Sequence, residues 1–108
     1  MTEIKYDPIA LSLTVRGHAG YAEAGRDIVC AGVSALFYAI PTTLREKGFK
    51  CYADADEREG FATVRAFPAA EERHSCFMIF ETVVAGMKAL ASNYPDYVHV
   101  DKEESKWV

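Results

Sequence analysis

The chain has 108 residues, half of them hydrophobic, with a formal net charge of −4 and three cysteines. That length makes one domain whose core needs no metal or disulfide to hold it. No basic run occurs, which excludes free binding to nucleic acid through phosphate neutralisation, and three cysteines without a CxxC pair fit free thiols in a reducing compartment.

Residues 2–6 form a short strand candidate, entered without a signal-peptide hydrophobic region, so the protein is expected in the cytoplasm. Asp7-Pro8 supplies a turn. Residues 9–16 then alternate, with Ile9, Leu11, Leu13 and Val15 on one side and Ser12, Thr14 and Arg16 on the other. Period two over that length predicts a half-buried strand, hairpin-paired to the first. Residues 19–26 are small, polar and glycine-containing, which predicts a mobile loop.

Asp27 is a good N-cap for a helix starting at Ile28. The charge-free run 28–44 is seventeen residues long, holds Pro41 and is interrupted by Ser34, Thr42 and Thr43. It is therefore read as a buried helix and not as a membrane span. Pro41 lacks a backbone donor, so a kink or break is expected there. Cations in Arg45-Glu46-Lys47 and then Gly48 end the helix.

Residues 49–54 alternate again, an acidic turn runs from Asp54 to Gly60, and residues 61–67 resume a strand, so the pair reads as a hairpin. Pro68 marks the entry to a second helix, with Glu71 and Glu72 in its first turn. Its apolar positions Phe77, Phe80, Val83, Val84, Met87, Leu90 and Ala91 recur at three- and four-residue spacing, and Met78 and Ile79 widen the stripe. Residues 93–96 break the helix, residues 97–100 make a last strand, and residues 101–108 form a polar tail containing Trp107. The order ββαββαβ predicts an α+β fold, two layers deep, with two helices on a mainly antiparallel sheet.

Residues 17–34 concentrate the chemistry. His18 ends a strand, Cys30 lies in the first turn of an apolar helix, and a glycine loop joins them. At a helix N-terminus, unpaired N–H groups and the dipole favour a thiolate and could hold an oxyanion. His18 could pair with that thiol; equally, Cys30 could be a small core residue and His18 a surface one. Asp27 is a cap or, alternatively, a third group orienting His18. Ser34, one turn after Cys30, could hydrogen-bond in the site or simply permit close packing. Gly17, Gly20 and Gly25 are hinges or ordinary turn glycines, and Tyr21 and Arg26 are loop residues that could touch substrate. Cys51 and Cys76 read as inert core thiols, His74 and His99 as solvent-facing. No ligand spacing supports a metal site, and no cofactor is implied.

The run from Gly17 to Leu36 resembles the signature of the ribosomal-processing cysteine protease family, and Tyr94-Pro95-Asp96-Tyr97-Val98 is similar to that family's entry to its last strand. The resemblance implies a catalytic dyad of His18 and Cys30, with Gly17, Asp27 and Ser34 as supporting positions and Gly20, Tyr21, Gly25 and Arg26 in a substrate loop. It implies removal of a short hydrophobic N-terminal extension from a large-subunit ribosomal protein precursor, by a homodimer that binds neither nucleic acid nor membrane. Gly32, where the family pattern has alanine, and Pro41 depart from it. The competing expectation is a non-enzymatic dimeric adaptor that binds a ribosomal or assembly protein.

Overall fold

The computed structural model describes residues 1–23 and 25–102; the expectations for Ala24, for residues 103–108 and for Trp107 lie outside the described residues. Five strands and two helices follow in the order β1 (Thr2–Asp7), β2 (Ser12–Arg16), α1 (Ile28–Glu46), β3 (Cys51–Asp56), β4 (Phe61–Ala66), α2 (Arg73–Asn93) and β5 (Val98–Lys102). The sheet order is β3-β4-β2-β1-β5. Three pairings are antiparallel, and β5 alone runs parallel, to β1. This is the expected α+β architecture with a mixed sheet.

Strand alternation puts one face of the sheet in the core. Ile4 lies between Val15 of β2 and Val100 of β5, and Leu13 opposes Val64. These side chains meet Val29, Val33, Phe37, Ile40 and Leu44 of α1 and Phe80, Val83, Val84 and Met87 of α2 in one continuous core. Both helices are long and apolar enough to cross a membrane by length and composition; here each buries one face in the core. The helices approach closely at two glycines. A Cβ on Gly32 would come 3.3 Å from Leu90, and one on Gly86 2.9 Å from Leu36.

Several boundaries differ from the sequence expectation. The second strand starts at Ser12, not at Ile9: the Asp7 carboxylate accepts the Ile9 and Ala10 N–H groups at 3.0 Å each. The turn then runs through Leu11, which is buried at a φ of 55° and leaves Ile9 42% exposed. The first helix is not broken at Pro41 but continues to Glu46. Pro41 is itself buried beside Phe37, Ile40 and Leu44, so tertiary packing outweighs the lost backbone bond. Residues Asp54 to Asp56 pair with β4, which shortens the acidic turn to residues 57–60. A single 3₁₀ turn, Ala70–Glu72, precedes α2, and the Glu72 carboxylate accepts the Ala69 N–H. Asp101 and Lys102 extend β5 and do not begin a tail. Of the residues widening the α2 stripe, Ile79 packs against the core while Met78 is 47% exposed.

Candidate active site

Asp27 organises the site. Its backbone is extended, and its side chain caps α1 by accepting the Cys30 N–H on Oδ1 at 2.9 Å. The other oxygen accepts the Tyr21 N–H at 3.0 Å and the Ala22 N–H at 3.4 Å. One carboxylate thus ties the loop to the helix start. Burial alone would raise its pKa, but hydrogen bonds from the Cys30 backbone and side chain, Ala22 and Tyr21 outweigh that and hold it below the ordinary carboxylate value. Among the described contacts Asp27 bonds the loop and the helix start and not His18, which makes it a clamp between those two elements.

Cys30 is the third residue of α1 and is half-buried. Its Sγ accepts the Ala19 N–H at 3.3 Å. The N–H groups of the first turn, expected to be unpaired there, are partly committed. Cys30 donates to the Asp27 carboxylate, and Ala31 donates to the Asp27 carbonyl at 3.0 Å.

His18 leaves β2 through Gly17, whose φ is 87° and whose N–H donates to the Gly60 carbonyl at 2.7 Å. The imidazole is exposed, and its Nε2 lies 3.4 Å from the Arg58 carbonyl oxygen. The β3–β4 turn therefore lies against the histidine. Gly60, at a φ of 63°, is where a Cβ would lie 2.9 Å from that Nε2 and 3.0 Å from the Gly17 carbonyl carbon. Sequence reasoning read Gly60 as a turn residue only; the acidic turn before it marked the hairpin but not its approach to His18.

His18 and Cys30 line one cavity of about 570 Å³, together with Gly17, Gly20, Gly25, Asp27 and Ser34. Val33, Phe37, Tyr38, Phe61 and Ala62 give it an apolar wall, and Glu57 a carboxylate. Ser34 is exposed on that wall and takes no part in the described hydrogen bonds. Tyr21 and Arg26 are not among the lining residues. The Tyr21 ring turns instead to Tyr94 and Tyr97, edge-on, with centroids 5.5 and 5.2 Å apart. That contact joins positions 73 and 76 residues apart and had no local signal.

The remaining candidates lie elsewhere. Cys76 is buried, and burial, then Glu72 and Cys51, push its thiol pKa up. His74 is exposed. His99 is also exposed but has a partner: its Nε2 lies 2.9 Å from the Asp101 carboxylate, and with Glu3 these groups bring three ligand atoms within 4.8 Å of one another. Strand parity could have found that pair, since residues i and i+2 share a face.

The cysteine protease Prp family profile matches residues 1–99. The chain is 31% identical over 99 residues to the ribosomal processing cysteine protease Prp of Bacillus subtilis (strain 168), covering 88% of each. The Mycoplasma genitalium protein of that name is 26% identical over 96 residues, covering 84% of this chain and 87% of its own. Among solved structures, SMU.848 from Streptococcus mutans superposes with a TM-score of 0.75 at 26% identity, over 96% of this chain and 93% of that one. The S. aureus ribosomal processing protease Prp, solved with a covalently linked product peptide, gives a TM-score of 0.79 at 19% identity, over 94% and 97%. The profile spans nearly the whole chain, and this protein is a cysteine protease that belongs to the ribosomal processing cysteine protease Prp family.

Proposed function

We propose that this protease removes a short hydrophobic N-terminal extension from a large-subunit ribosomal protein precursor, with Cys30 as nucleophile and His18 as its proton partner. One observation carries the proposal: the half-buried sulfur at the start of α1 and the imidazole line the same cavity. The apolar wall of Val33, Phe37, Phe61 and Ala62 supports an apolar peptide as the occupant. The expectations of a cytoplasmic location and a homodimer belong to the same proposal, the second supported by the exposed Met78 on α2.

The imidazole is held at 3.4 Å by the Arg58 carbonyl, a separation too long to hold it firmly. It turns toward the sulfur as peptide enters, and takes the thiol proton. The thiolate then bonds to the scissile carbonyl carbon while the π pair moves onto oxygen. On collapse the C–N bond breaks, and the amine leaves with the proton from the His18 imidazolium. Water gives a proton to the neutral imidazole and attacks the thioester carbon; the C–S bond breaks, the sulfur takes that proton back from the imidazolium, and the acid is released. Asp27 supports these steps by holding the loop on the helix, and Gly17 by letting the chain turn where His18 begins. Gly20 and Gly25 have no neighbour where a side chain would stand, which leaves room for the loop to open over a peptide.

Incubating an extended precursor with the protein and with Cys30→Ala, followed by mass spectrometry, tests the proposal. Cleavage by the first alone is expected. Equal cleavage by both would remove Cys30 from the mechanism.

A further inference from the structure

A thiol protease must hold negative charge twice, first on sulfur and then on the carbonyl oxygen of the tetrahedral intermediate. Backbone N–H groups are the usual means of holding it. The first turn of α1 is one source, but the N–H of Cys30 itself is in use there. The Cys30 N–H is held by the Asp27 carboxylate at 2.9 Å and the Ala31 N–H by the Asp27 carbonyl at 3.0 Å. Among the described residues, the donor aimed at the sulfur comes from the loop: the Ala19 N–H, 3.3 Å from Sγ.

Ala19 is fixed there from several sides. Its side chain is 3% exposed and belongs to the core. Before it, Gly17 is bonded to Gly60. Beyond it, Tyr21 is held twice, by its N–H on the Asp27 carboxylate and by its ring against Tyr94 and Tyr97. We infer that the Ala19 N–H is a catalytic donor in this protease: it stabilises the Cys30 sulfur as its proton leaves and moves onto the oxyanion once sulfur has bonded to carbon. Tyr21 is a positioning residue that keeps this N–H on the reacting atoms. The second half of the inference rests on the peptidase assignment above; the first half does not.

The donor can be removed without altering the side chain by replacing Ala19 with lactate through semisynthesis, which turns the amide into an ester. Its N–H serves no strand or helix ladder, and a circular dichroism melt of the product checks the fold. For precursor cleavage, kcat is expected to fall about 100-fold or more with KM little changed, in line with loss of one oxyanion donor. Iodoacetamide labelling of Cys30 at neutral pH is expected to slow several-fold. Tyr21→Ala should lower both rates more than Tyr21→Phe, which keeps the ring. Should the ester fail to fold, Ala19→Pro, which also lacks the N–H, and Tyr21→Ala carry the same two readouts. Wild-type kcat in the ester protein, or in every folded donor-loss variant, would overturn the oxyanion role. If the unmodified protein cleaves no precursor, the peptidase assignment fails on its own, and unchanged labelling would still overturn the role on sulfur.

Discussion

Asp27 shows how one residue can be read correctly and still hold more than its pattern displays. Its cap was legible because a carboxylate before an apolar run has few other uses. Its second oxygen, on Tyr21 and Ala22, was not, since loop backbone has no periodicity. Asp27→Ala should therefore cost about 2 kcal/mol in urea denaturation, near the upper end for a cap, because several donors lose their acceptor. The pKa of Asp27 is lowered on folding, so the stability this gives is present at neutral pH. It is lost as pH falls below the ordinary value of 3.8 toward the folded one. Asp27→Asn should flatten that part of an acid-unfolding curve; an unchanged curve would show the carboxylate is idle. Tyr6 offers the opposite case. Its ring is 1% exposed and stacks on Phe80, and its buried hydroxyl faces the Glu81 carboxylate without a well-formed hydrogen bond. Tyr6→Phe removes that poorly paired hydroxyl and should stabilise by about 1 kcal/mol, read as a higher urea midpoint at constant slope.

Among the elements, strands were visible in the alternation of residues 9–16, of which 9–11 form a turn, and of residues 49–54, α1 in its cap and charge-free run, and α2 in its three- and four-residue spacing. What stayed hidden were contacts between elements. The approach of the β3–β4 turn to His18 is the functional instance, because nothing in residues 54–60 refers to residue 18. Gly60→Ala tests it. Alanine at a φ of 63° is strained, and its Cβ would stand 2.9 Å from the imidazole. The variant should lose at least about 1 kcal/mol for the left-handed conformation alone. It should also cleave precursor several-fold more slowly, and wild-type cleavage would show that His18 does not depend on this turn. At the helix crossing, Gly32→Ala faces only the mobile end of Leu90 at 3.3 Å. The gain in helix propensity, about 1 kcal/mol, should prevail and raise the melting temperature.

For the whole molecule, composition indicated one domain, and the element order indicated two helices on a mainly antiparallel sheet. The parallel pairing of β1 with β5 was not legible, because register between the first and last strands depends on α2 returning the chain. The core also sets an alkaline limit. Burial raises the pKa of Cys76 above the ordinary 9.0 and that of Tyr6 above the ordinary 10.0, with Glu72 and Glu81 adding to the two shifts respectively. In each case the folded state keeps a proton that the unfolded chain gives up. Stability should therefore fall as pH rises above about 9; Tyr6→Phe should remove part of that slope, and an identical slope would exclude Tyr6 as its source.

The parallel last strand also orders events in time. During synthesis, His18, Cys30 and the whole of α1 leave the ribosome while Tyr94 and Tyr97 are still to be added. Until they arrive, the Tyr21 ring has neither neighbour and β1 has one open edge. A nascent chain thus carries its thiol and imidazole early but gains the fastening of the loop that joins them only when the segment entering β5 is made.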